Sequence, residues 1–148
     1  MKQYSGSLSV PAKIEYTLLA LLELASHFDK AKPLRIHDIV GRQPIPERYL
    51  EQIFNVLRRG GLVQGQRGAK GGNTLAREPQ SITISEVVQL IKGEPTENRA
   101  NLNLERELLS EVWQQAQAAS YQALQCCTLE DLLQRCMTRK QKAPMFYI

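Results

Sequence analysis

A chain of 148 residues, 43% apolar and 23% charged, has the size of one domain with an attached element and enough apolar content for a core, which excludes disorder throughout. No uninterrupted apolar run approaches the ~20 residues that cross a bilayer, and the opening MKQYSGSLSVPAKIEY lacks the apolar core of a secretory signal, so a cytoplasmic location is expected. The formal net charge of +4 hides an asymmetry, since residues 1–77 carry twelve Lys or Arg against six acids and residues 78–148 carry seven against nine. A basic first half with a slightly acidic remainder fits a nucleic-acid-binding head on a protein-protein interaction element. Attraction to a membrane surface fits less well, because the basic residues do not share one amphipathic helix with bulky apolar residues opposite.

Residues 1–9 are small and polar and predict a loose arm. From Lys13 to about Phe28, the apolar positions Ile14, Leu18, Leu21, Leu22 and Ala25 predict a core helix, with His27 at its end in a capping role that suits the helix dipole. Leu34 to Ile36 leads into a short helix, His37 to Arg42, and Gln43 to Ile45 forms a turn.

The central stretch is PERYLEQIFNVLRRGGLVQGQRGAKGGNTLA, residues 46–76. Pro46 suits a first helical position, Glu47 complements the positive helix end, and Gly60 and Gly61 stop the helix. Leu50, Ile53, Phe54 and Leu57 fall at i, i+3, i+4 and i+7, one apolar face to bury. Arg48, Glu51, Gln52, Asn55, Arg58 and Arg59 share the other face, with side chains of the kind that read base edges and phosphates. Leu62 to Arg67 and Asn73 to Arg77 then read as two strands around Gly68-Ala69-Lys70-Gly71-Gly72, which brings Arg67 and Lys70 near the tip. The turn lacks the GxxxxGK[ST] spacing of a nucleotide-binding loop. A helix followed by a basic hairpin is the winged helix-turn-helix arrangement, with the helix in the major groove and the wing on backbone or minor groove.

Thr83 and Glu86 have capping-box spacing ahead of a short helix with the stripe Ile84, Val87, Val88 and Ile91, ending at Gly93. Residues 94–103 predict a linker loop. A long helix follows over Leu104 to Gln125, in which Leu109, Val112, Ala116, Ala119 and Ala123 make a heptad seam suited to pairing with a second copy, while Leu108 and Trp113 would pack back on the head. Thr128 starts a final helix, Leu129 to Met137, and residues 138–148 form a tail. The expected organisation is a winged helix-turn-helix over 10–93, the loop, a dimerisation element over 104–137, and the tail. The fold class is mainly α with a small β-hairpin wing.

YLEQ at Tyr49 to Gln52 and RGxKGG at Arg67 to Gly72, with PLRIHDIVGRQPIP before and ITISEVVQLIKGEP after, resemble the Rrf-two family of bacterial transcription regulators, the family of IscR, NsrR and CymR. The resemblance implies a dimeric DNA-binding protein. Arg48, Tyr49, Glu51 and Gln52 would then approach base edges with Asn55 on the same face. Arg58 and Arg59 would meet phosphate or remain exposed charge, and Arg67 and Lys70 would meet backbone or minor groove where Gly71 and Gly72 allow close approach. Relatives commonly carry a basic residue where this chain has Glu15 and a Gly where it has Pro44, which implies a stiffer turn here.

Many relatives hold an iron-sulfur cluster through cysteines in the segment before the long helix, but residues 94–103 contain no Cys and no His. No cofactor is therefore expected, and a cluster would need non-standard ligands such as Glu15, a histidine and a partner-chain cysteine. Cys126, Cys127 and Cys136 lie at the other end of the long helix. They read either as small packing groups in a reducing cytosol or as a thiol redox switch pairing Cys127 with Cys136, since a bridge between adjacent residues is strained. No Ser-His-Asp set, metal-spaced cluster or paired acid stands out, so an enzyme is not expected. A non-DNA interaction module on the same fold and an unknown small-molecule or protein effector stay open.

Overall fold

The computed structural model describes residues 10–30, 32–68, 71–93 and 103–142. Its two units divide between Glu78 and Pro79. The first holds helices α1 (Ala12–Ser26), α2 (Ile36–Val40) and α3 (Glu47–Arg59) and the antiparallel strands β1 (Val63–Gln66) and β2 (Gly72–Leu75). The second holds a 3-10 turn at Pro79–Ser81 and helices α4 (Ile84–Lys92), α5 (Leu104–Gln125) and α6 (Leu129–Lys142). No helix among the described residues is long and apolar enough to cross a membrane.

In the first unit the core forms around α3, whose Leu50, Ile53, Phe54 and Leu57 are at most 1% exposed. Helices α1 and α2 and strand β1 pack against it. Helix α1 buries Ile14, Thr17, Ala20, Leu21, Leu24 and Ala25, so its stripe includes Thr17 and Ala20, while the expected Leu18 and Leu22 are half-buried. Thr17 tolerates full burial because its hydroxyl donates to the Lys13 carbonyl at 2.7 Å. Pro46 is the residue before α3 rather than its first turn, since at ψ 133° its backbone is extended and its carbonyl accepts from the Tyr49 and Leu50 amides. At the other end Gly61 takes φ +77° and the Leu62 amide reaches back to the Leu57 carbonyl at 3.0 Å, which turns the chain into β1.

The strands are shorter than predicted, pairing Val63 with Leu75 through Gln66 with Gly72, and a further bond from the Ala76 amide to the Leu62 carbonyl closes the base. Leu34 adds an unforeseen third segment, because its amide and carbonyl exchange bonds of 2.9 and 2.7 Å with Asn73. Gly72 makes this crossing possible. It sits at φ +147°, and a Cβ there would lie 2.9 Å from the Leu34 carbonyl carbon and oxygen.

In the second unit, the Thr83 hydroxyl accepts from the Glu86 amide and Gly93 ends α4 at φ +70°. The segments entering α4 and α6 are tied by backbone bonds from Ile84 to Cys127 and from Leu129 to Ile82, each 2.9 Å, beside a fully buried Leu129. Thr128 and Asp131 cap α6 reciprocally, at 2.9 and 3.1 Å. Two sequence boundaries move. Asn103 belongs to the cap of α5, where its side chain accepts from the Arg106 amide, and the rest of the expected loop lies outside the described residues. Helix α6 runs on to Lys142, because no breaker intervenes and Arg139, Lys140 and Lys142 suit a helix C-terminus, so residues 138–142 are not tail. Residues 143–148 and the arm 1–9 lie outside the described residues.

Gly72→Ala is expected to cost about 1–3 kcal/mol and lower Tm by several degrees, through the crowded crossing and the positive φ together. Gly68→Ala, at φ +102° with open space around its Cβ, should cost less. Thermal melts of the two variants check this, and equal melting temperatures would contradict the close crossing.

Candidate nucleic-acid interface

With the apolar stripe of α3 buried, Arg48, Tyr49, Glu51, Gln52, Asn55, Arg58 and Arg59 remain exposed on the rest of its surface. Tyr49 is 45% exposed, its ring set edge-on to Tyr16 of α1 with centroids 5.5 Å apart, so one side of it braces the helix while its other side is open. The turn ahead of α3 is held by polar contacts that sequence reasoning missed. Glu23 of α1 accepts from Gln43 at 2.9 Å and from Arg42 at 3.4 Å, and the same Arg42 nitrogen lies 3.1 Å from His27 Nε2. His27 Nδ1 lies 3.0 Å from the Glu23 carbonyl, so a proton on Nδ1 leaves Nε2 free to accept from Arg42. The expected capping role of His27 is met, and it extends to the turn. Pro44 is exposed and Ile45 buried, which pins the turn to the core.

The wing presents Arg67 as an exposed cation. A groove of about 520 Å³ beside it is lined by Arg35, Arg58 and Arg67 together with Gln66 and Asn73. Lys70 lies outside the described residues. Gly71 is buried and a Cβ there would meet the Gln66 carbonyl oxygen, while Gly72 packs on Pro33 and Leu34. Their small size serves the chain's approach to itself, and Gly72 also lines the groove beside Arg67. Arg58 also differs from a free surface charge, since it donates to Asn55 and to the buried Asn73. Nothing in the linear pattern marks Asn73, whose partners are 15 and 39 residues away.

On α5 no residue is buried. Leu109 and Val112 are 70% and 62% exposed, Ala116, Ala119 and Ala123 are exposed with them, and the seam is uncovered by its own chain. Leu108 and Trp113 beside the seam are exposed as well, at 52% and 69%. All three thiols are free; within the single chain Cys126 and Cys136 are exposed and Cys127 is half-buried.

The Rrf2 family model, described as "Iron-dependent Transcriptional regulator", matches residues 10–135. The HTH-type transcriptional regulator CymR of Bacillus subtilis is 33% identical over 141 residues, covering 95% of this chain and 100% of that protein. Among solved structures, IscR of T. potens is similar at a TM-score of 0.73 and 33% identity, covering 88% of this chain and 89% of that one. CymR (YrzC), the global cysteine regulator of B. subtilis, is similar at a TM-score of 0.69 and 32% identity, covering 86% and 98%.

The family description names iron, and the residues here do not fit a thiolate-held cluster within one chain. Glu15 is exposed, and no group of three His, Cys, Asp or Glu among the described residues is placed to hold a metal. The thiol of Cys126 lies beyond a 22-residue helix, which spans ~33 Å at the usual rise per residue. Sequence, register and fold nonetheless agree along the chain, which belongs to the Rrf2 family of winged helix-turn-helix transcription regulators and not to a family of enzymes.

Proposed function

We propose that this regulator acts in the cytoplasm as a homodimer on double-stranded DNA, at a near-palindromic promoter site, with α3 in the major groove and the wing on backbone or minor groove. The observation that carries the reading is the two-sidedness of α3. Its apolar stripe is wholly buried and its polar side chains are exposed, next to a basic hairpin. In this reading Arg48, Tyr49, Glu51 and Gln52, at the front of α3, approach base edges, and Asn55 lies behind them. Glu51 accepts from a cytosine N4 and repels phosphate, so it restricts sequence more than it adds affinity. Arg59 and, on the wing, Arg67 and Lys70 neutralise phosphate. Two heads joined through the α5 seam address half-sites about one turn, ~34 Å, apart. The exposed stripe of Leu109, Val112, Ala116, Ala119 and Ala123 supports that pairing, because contiguous apolar surface of this kind is costly to leave in water.

Arg67→Ala should weaken binding and flatten the plot of log affinity against log salt by roughly 0.9, the slope of one phosphate contact. An unchanged slope in a fluorescence titration would sink that assignment. Gln52→Ala should relax preference at one base position by about 1–3 kcal/mol, read by competition among single-base variants of the site. Val112→Glu should turn the dimer into monomer in sedimentation velocity and weaken DNA binding with it, and a stable dimer of this variant would place the interface elsewhere.

A further inference from the structure

The last two residues of α3 look alike in sequence and differ in their surroundings. Arg59 is exposed. Arg58 Nη1 donates to Asn55 Oδ1 at 3.0 Å, one turn back on the same helix, and its Nε donates to Asn73 Oδ1 on β2 at 3.3 Å. The side chain also lies over β1, since a Cβ on Gly65 would stand 3.5 and 3.6 Å from the Arg58 Nε and Cδ. Gly65 and Asn73 are register partners, one rung below the last pair of the hairpin, Gln66 with Gly72. Asn73 is 6% exposed, and its amide and carbonyl pair with Leu34. One guanidinium thus bonds to the reading helix and to β2 while the side chain passes close over β1, and through Asn73 it reaches the segment that leads into α2.

Two of its donors are spent on uncharged amide oxygens. That is the use of a planar fork, which holds two acceptors in fixed directions, rather than of a point charge. A two-stranded hairpin has little stability of its own, so its angle to the helix depends on such ties.

We propose that Arg58 is a positioning residue for DNA binding: it fixes the wing against α3, so that major-groove reading and the wing's phosphate contact are made together. The proposal rests on the DNA-reading function above. It separates two roles that charge alone would merge, since a phosphate contact depends on the positive charge at position 58 and a clamp depends on the fork.

The test uses the full chain and the tightest duplex that the wild-type protein recovers from a random-sequence pool. Salt dependence of affinity is measured for wild type, Arg58→Lys, Asn73→Ala, Arg67→Ala and the double variant Arg58→Lys/Arg67→Ala. Arg58→Lys keeps the charge at an exposed position, so it should fold. The clamp predicts that it nevertheless weakens binding and flattens the salt slope by roughly one, as loss of a single wing phosphate contact does. Asn73→Ala, which removes no charge, should flatten the slope likewise, and the double variant should be no flatter than Arg67→Ala alone. Wild-type affinity and slope in Arg58→Lys would overturn the inference and leave the DNA reading intact, as would flattening in the double variant beyond that of Arg67→Ala. A wild-type chain that recovers no duplex would overturn both.

Discussion

The burial of one stripe, Leu50, Ile53, Phe54 and Leu57, fixes most of what matters in the amino-terminal unit. A helix of 13 residues is marginal in water by itself. Removing each large side chain from water contributes about 1.5–3 kcal/mol, and because all four lie on one side of the cylinder, their burial sets the rotation of α3 as well as its existence. Arg48, Glu51, Gln52, Asn55 and Arg59 face outward as a consequence. The proposed reading surface is the other side of the core, and a change that loosened the stripe would move every side chain on that surface.

The wing is subject to the same logic at smaller scale. Its strands are four residues each, and it is held from outside by the Leu34 rung on β2 and the Arg58 bond to Asn73. The glycines that give the hairpin its recognisable sequence act inside it. Gly72 lets Leu34 come close, and Gly71 leaves room for the Gln66 carbonyl.

How much of this was legible follows from the range of the forces involved. The stripe of α3, the Thr83 cap and the bounds of α5 were readable because each depends on neighbours within a few residues. The end of α6 was misplaced because no breaker falls between Met137 and Lys142, and chemical contrast alone suggested a tail. Arg58, Asn73, Leu34 and the Glu23–Arg42–Gln43 set were not readable, because each depends on partners 15 to 39 residues away that only folding brings together. On the candidate surface, sequence identified the exposed side of α3 and the cation at Arg67, but it did not show the bonds of Arg58 to Asn55 and Asn73 or the crowding at the two wing glycines.

Helix α5 poses the opposite problem, since it packs against α4 yet none of its 22 residues is fully buried and its apolar seam stays exposed. In the proposed reading, pairing with a second copy covers the exposed seam of this helix, and two heads spaced by that pairing address the two halves of the site. The most direct measurement of that account is methylation interference at guanine N7, combined with hydroxyl-radical footprinting, on a duplex selected by the full chain from random sequence. The account predicts major-groove interference in two symmetric half-sites about one helical turn, ~34 Å, apart, with protected backbone flanking each. A selected duplex with one protected patch, or none enriched over the starting pool, would contradict it.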